Sequence, residues 1–176
     1  ALPTRLVERP RLTARINTPL TLIYAPSGSG KSTLLNEWRR NCPAPVAWVT
    51  VSEAENQPLR FWMLLLAALQ HALEQDSALP PPNWQASGWQ ATGEDEIPQL
   101  LATVTDQLAQ WSGLSSTRRI SIILDDYHHI RDRAIHELIE TVVRHAPAHV
   151  HLVIATRSCP PFGFARLRAQ QMLGEV

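Results

Sequence analysis

The chain has 176 residues, 44% apolar and 18% charged, enough for one domain with a real hydrophobic core. Its 16 basic residues equal its 16 acidic ones, so the formal net charge is zero with His neutral, whereas a main DNA-binding surface carries a basic excess. The longest apolar run, Trp62 to Leu69, is far too short to span a membrane.

The N-terminus lacks the charged-then-apolar pattern of a signal peptide, and the reading is a cytoplasmic protein. Cys42 and Cys159 match no zinc spacing and read as unpaired thiols in a reducing compartment. The chain opens on Ala1 with no Met, which reads as a processed protein or a fragment of a longer multidomain one.

Strands and helices alternate, which points to a parallel sheet. Leu20–Tyr24 is a short apolar run after Pro19 and reads as the first strand. Lys31–Arg40 reads as a helix with Leu34, Leu35 and Trp38 on one face, closed by Pro43 and Pro45. Val46–Val51 is the second strand. After Pro58, Trp62, Leu65, Leu66, Leu69 and Leu73 recur at helical spacing. Residues 77–93 hold prolines, glycines and tryptophans without periodicity and read as a loop or insertion. Glu94–Trp111 is helical, with Leu101, Val104, Leu108 and Trp111 in a stripe. Ile120–Leu124 is a buried strand, and Ala134–His145 a helix with Ile135, Leu138, Ile139 and Val142 inward. Val150–Ala155 is a further strand, and the tail from Phe162 has room for a short helix and one more strand. The predicted fold is α/β: a P-loop NTPase with a parallel sheet of about five strands and helices on both faces. The whole chain, residues 1–176, forms that one nucleotide-binding domain, with residues 1–18 as an N-terminal lead.

Ala25-Pro26-Ser27-Gly28-Ser29-Gly30-Lys31-Ser32 follows an apolar strand and opens a helix, the context a Walker A loop requires. Gly28 and Gly30 let the backbone curl so that successive N–H groups converge, and the helix adds its positive dipole end. Ser27, Gly28, Ser29 and Gly30 are therefore read as phosphate-binding, with Lys31 reaching the β- and γ-phosphates. Ser32 offers a hydroxyl to Mg2+, and Thr33 is placed to touch the α-phosphate. The first glycine of the usual pattern is Ala25, a position that ends a strand and needs less freedom.

Such a loop needs an acid at the end of a neighbouring strand. Asp125 ends the buried 120–124 run and is read as the second magnesium ligand with Ser32. Asp126, pointed elsewhere by strand alternation, is read as the group that orients the attacking water or takes its proton; the competing reading is a helix N-cap. Arg157 follows the 150–156 run and is read as a catalytic sensor of the γ-phosphate. Neighbouring His128 and His129 point in different directions with no second ligand cluster, which argues against zinc. His149 and His151 read as surface or packing residues, and the six tryptophans as core or interface.

These residues resemble the nucleotide-binding domain of MalT-like activators, large ATP-dependent LuxR-type regulators in the STAND branch of P-loop NTPases. The resemblance runs along nearly the whole chain. It rests on Val7-Glu8-Arg9-Pro10-Arg11-Leu12, the loop Ala25–Thr33, Ala47-Trp48-Val49, and Glu55-Asn56-Gln57-Pro58-Leu59-Arg60-Phe61. It continues through Leu124-Asp125-Asp126-Tyr127-His128, Ala155-Thr156-Arg157 and Leu167-Arg168. Two departures are Glu55, where the family often has Asp, and Pro10, where some members have an acid. The resemblance implies an ATP/ADP switch, with Mg2+-dependent hydrolysis as a slow reset and Val7 and Arg9 beside the nucleotide. It also implies self-association in the ATP-bound full-length protein, and DNA binding only through a C-terminal domain beyond Val176. Two other readings stay open: a P-loop kinase for a small molecule, and a nucleotide-dependent scaffold without useful hydrolysis. A kinase lid usually bears arginine, and residues 77–93 contain neither Arg nor Lys.

Overall fold

The computed structural model describes residues 9–75, 97–99, 102, 106, 119–145 and 150–176. In chain order the elements are α1 (Pro10–Thr13), β1 (Leu20–Tyr24), α2 (Lys31–Asn41), β2 (Val46–Thr50) and α3 (Pro58–Glu74). There follow β3 (Ile120–Asp125), α4 (Arg133–His145), β4 (Val150–Thr156), α5 (Phe164–Ala169) and β5 (Leu173–Glu175). Short 3-10 turns at Glu53–Glu55 and Tyr127–His129 lie between them. Residues 97–99, 102 and 106 are helical, while the 77–93 loop and the Leu101, Val104, Leu108 and Trp111 stripe lie outside the described residues.

The five strands run in the order β2-β3-β4-β1-β5, and every pair is parallel. Strand β4 thus sits between β1, which leads into the Gly-rich loop, and β3, which ends on the acids. Tyr24 pairs with Thr156 and Leu124 with Ile154, so the three strands leave the sheet nearly level. Ligands of open α/β sheets gather at such carboxyl ends.

Each central strand is apolar on both faces, as buried parallel strands must be. Leu20, Leu22, Ile120, Ile122, Leu124, Leu152 and Ile154 face one core with α3, α4 and α5. Ile23, Ile123, Val153 and Ala155 face the other, against Leu34 and Leu35 of α2. The predicted stripe of α3 is buried throughout, extended by Phe61 and Ala72. On α4, Ile135 and Ile139 are buried and Leu138 and Val142 pack partly buried against the same core, as predicted; His136 and Val143 are buried as well. His136 is accommodated because its Nδ1 meets the Tyr127 hydroxyl at 2.9 Å. Burial holds the phenol well above its usual range and the imidazole below its own, so the bond joins a protonated phenol to a neutral ring.

Trp62 is buried, and Trp38 and Trp48 lie half-buried against the α2-side core, as core-filling tryptophans should. His151 is a packing residue: its ring stands edge-on to Trp38 at 5.5 Å, and Nε2 lies 3.2 Å from the Thr21 hydroxyl. Burial, with help from Arg119, brings its pKa down to about 4. His149 lies outside the described residues. Cys42 and Cys159 are free thiols. Among the described residues, no helix is long and apolar enough to cross a membrane.

Candidate nucleotide site

The loop after β1 takes the shape its glycines permit. Gly28 and Gly30 have φ of 76° and 85°, in the left-handed region that L side chains rarely adopt. Gly30 is also the N-cap of α2, so the first helical amides, with no intrahelical carbonyl, open beside the loop. Ala25 is absent from the residues with positive φ, so its methyl is accepted without backbone strain.

Lys31 is buried, and its ammonium donates to the carbonyls of Ala25 at 2.7 Å and Pro26 at 3.0 Å. The side chain is therefore folded back along the loop rather than extended into solvent. Ser27 and Gly28 are exposed, Ser29 and Thr33 partly so, and Ser32 exposed at the start of α2.

Asp125 is the last residue of β3 and is 4% exposed. Strand alternation puts it on the face of Ile123, which is the α2 face. That turns it toward the start of α2, where Ser32 lies. Burial, with the Asp126 charge, pushes its carboxyl above the usual carboxylate range; the nearby Ser32 hydroxyl, the Asp126 amide that donates to Oδ1 at 3.0 Å, and the Lys31 charge pull the other way. A buried carboxylate beside a hydroxyl, with no ion pair among the described residues, has the chemistry of a hard-cation ligand set. Magnesium takes few protein ligands when phosphates supply the rest, so Ser32 and Asp125 would be enough to hold it. Among the described residues no group of three or more His, Cys, Asp or Glu could hold a metal ion.

Asp126 is redirected by a different device from the one read in the sequence. It lies past the strand, at φ 57°, and the left-handed turn rather than strand alternation swings it away from Asp125. It does stand at the N-cap position of the turn Tyr127–His129, but its side chain makes no capping hydrogen bond. Its carboxylate instead faces Arg157, whose Nη2 is 3.7 Å from Oδ1, and His128, whose Nδ1 is 3.8 Å from the same oxygen. Tyr127, fully buried between His136 and Phe162, anchors the turn that carries them.

Arg9 lies on the outside of the loop. Its backbone N–H donates to Glu37 Oε1 at 2.8 Å, and its guanidinium donates to the Ser29 carbonyl at 3.2 Å. A Cβ at Gly30 would come within 3.3 Å of that guanidinium, a second reason for glycine there. Val7 lies outside the described residues.

The structure thus brings Lys31, Ser32, Asp125, Asp126 and Arg157 to one edge. The sequence reading missed two supports. Asn56 accepts from the backbone N–H groups of Arg131 and Asp132 at 2.7 and 2.9 Å, tying the entry of α3 to that of α4. His128 is the other; it closes the Leu124–His128 motif, but no role toward Asp126 was read from it.

A parallel sheet of this order with a phosphate loop after β1 and an acid ending β3 is the P-loop ATPase arrangement. The chain matches the AAA ATPase domain family over residues 2–155 and belongs to it. It is 34% identical over 181 aligned residues to the HTH-type transcriptional regulator MalT of Cronobacter sakazakii, and 33% identical to MalT of Yersinia enterocolitica. Both alignments cover 99% of this chain and 19% of the relative, so the chain spans about a fifth of their length. It fits a MalT-like nucleotide-binding domain. Among solved structures, the Aeropyrum pernix ORC1 protein in complex with DNA superimposes with a TM-score of 0.54 at 19% identity, covering 95% of this chain and 42% of that one. Drosophila ORC bound to AT-rich DNA and Cdc6 gives a TM-score of 0.51 at 14% identity, covering 94% and 49%. These two likenesses concern the fold alone.

Proposed function

We propose that this chain is the ATP/ADP-binding switch domain of a MalT-like transcriptional regulator, with slow Mg2+-dependent ATP hydrolysis as its reset. The observation that carries the reading is the buried Asp125 carboxylate at the carboxyl edge of the sheet, on the α2 side where the Gly28–Gly30 loop delivers Lys31 and Ser32. The amides of residues 27–33 and the Lys31 ammonium bind phosphate oxygens, with Lys31 exchanging its two loop carbonyls for the ligand. Ser32 and Asp125 would hold Mg2+, which would supply neutralisation of phosphate charge.

Asp126 orients water for attack on the γ-phosphorus and accepts its proton as the bond to the ADP oxygen breaks. Arg157 offers its guanidinium to the γ-phosphate, and through its ion pair with Asp126 it couples phosphate sensing to the base. Val7 and Arg9 bind beside the nucleotide in this reading, as the MalT-like resemblance implies; Arg9 also donates to the Ser29 carbonyl of the loop. In the intact regulator the ATP state self-associates, and DNA is bound by a C-terminal domain beyond Val176.

The test is calorimetry with ATP and ADP, with and without Mg2+, on the chain and on Lys31→Ala. Charge-assisted hydrogen bonds of about 1.5–3 kcal/mol predict a loss of about 10- to 100-fold in affinity for both nucleotides. Equal affinity of the two proteins would overturn the assignment.

A further inference from the structure

His128 has a place in the site that its sequence context does not explain. Its side chain is 16% exposed, and among the described residues its Nδ1 is buried without a hydrogen-bond partner. An unsatisfied buried nitrogen costs free energy and calls for an explanation. The ring cannot turn away freely: His129 lies against it at 4.3 Å, and the His129 amide is held by the Asp126 carbonyl at 3.2 Å. The nitrogen therefore stays aimed at Asp126 Oδ1, 3.8 Å away.

Asp126 has a matching need. No capping bond fixes its carboxylate, and its other close neighbour is the Arg157 guanidinium at 3.7 Å. Arg157 is the group assigned to the γ-phosphate. A guanidinium turned to phosphate no longer fixes the carboxylate that must receive the water proton. One neighbour then remains on the same oxygen.

We infer that His128 is the positioning residue of Asp126: its neutral ring donates Nδ1–H to Oδ1 when Arg157 engages the γ-phosphate. Asp126 thus exchanges partners, Arg157 in one nucleotide state and His128 in the other. A neutral donor suits this role, because it orients the carboxylate without bringing a second cation that would weaken it as a base. Burial, with the His129 and Arg157 charges, favours the neutral ring, and the Asp126 charge only partly offsets them. The inference rests on the hydrolytic reading above.

The test has a spectroscopic and a kinetic arm. Long-range proton–nitrogen spectra are recorded on the chain with 15N-labelled histidine rings, with Mg2+ and a non-hydrolysable ATP analogue. His128→Asn identifies the signal. His128 should be protonated at Nδ1, the tautomer less favoured in free histidine, and Asp126→Ala should abolish that preference. An Nε2–H tautomer indifferent to Asp126→Ala would overturn the inference.

In single-turnover hydrolysis, His128→Ala and His128→Gln should slow the step by about three- to tenfold, the worth of one hydrogen bond, with ATP affinity unchanged within about twofold. His128→Asn keeps a donor at the δ position and should recover most of the rate. In the Asp126→Asn background, His128→Ala should add nothing. Equal loss from Asn, Gln and Ala, or full additivity with Asp126→Asn, would reduce His128 to a packing residue. If the unaltered chain hydrolyses no ATP, the hydrolytic reading fails on its own, and the nitrogen spectra still decide the partner of Asp126.

Discussion

Residues 25–33 build the Gly-rich half of the candidate site from one unbroken stretch of backbone, whereas the opposing half takes Asp125 from the end of β3, Asp126 from the turn after it and Arg157 from just past β4. The first half works through amides that any side chain leaves in place, with Lys31 as its single charged contributor. The second half works through side chains held a few ångströms apart by the register of two strands and one left-handed residue. Substitutions should therefore be graded in the first half and abrupt in the second.

The largest effect should come from Asp126→Asn. Removal of a positioned base costs about 10²- to 10⁴-fold in the chemical step, yet the residue need not touch bound ATP. Single-turnover hydrolysis should collapse while calorimetric ATP affinity stays within about threefold. A comparable loss of affinity with normal hydrolysis at saturation would make Asp126 a metal ligand or a structural group instead.

Asp125→Asn should do the opposite. It should remove most of the magnesium enhancement of ATP binding, at least about tenfold, since even outer-shell changes at metal sites cost that much. It should not weaken the unliganded fold at neutral pH. The folded-state pKa of Asp125 is raised, so its contribution to stability is fully present below the unfolded value near 3.8 and is lost as pH rises through the folded value. Asn carries no such proton. Denaturation at a series of pH values should show the wild type, but not the variant, losing stability across that window. The same slope in both proteins would remove the argument for a desolvated carboxylate.

Tyr127→Phe tests the scaffold beneath the acids. It deletes the bond to His136 and leaves a buried nitrogen unsatisfied, costing about 1–3 kcal/mol of stability. Nucleotide affinity should persist, because the phosphate loop is built elsewhere. The smallest effect should be Ala25→Gly, which restores the more usual loop residue. Since Ala25 does not use positive φ, affinity should stay within about twofold and stability should fall by less than about 1 kcal/mol. A clear gain in affinity would mean that the loop is strained at this position after all.

Legibility followed the same division. The conformation of the Gly-rich loop could be read at Gly28 and Gly30 and at the start of α2, because it is set by local φ preferences and a helix start. The strands β1, β2, β3 and β4 were legible for a similar reason: apolar runs of five or six residues between turn signals. On α4 the periodicity gave the inward face but not its full width, which His136 and Val143 extend, because the neighbours that a helix packs against decide which flanking positions are covered. Asp126 was read as a site residue, but by the wrong device. Strand alternation was the only rule in view, and a left-handed non-glycine residue is held by its surroundings rather than by propensity.

The amino-acid sequence by itself determined the phosphate loop, the class of the sheet and the identity of the acids, since these follow from short-range sterics, hydrophobic period and residue chemistry. It also carried the likeness to MalT-like regulators, in motifs spread over nearly the whole chain. Only the tertiary structure decided that β4 lies between β1 and β3, and so which side chains share an edge. It alone set Arg157 beside Asp126, and Arg9 over Gly30, because distances of 3 to 4 Å between residues far apart in the chain depend on strand order and register.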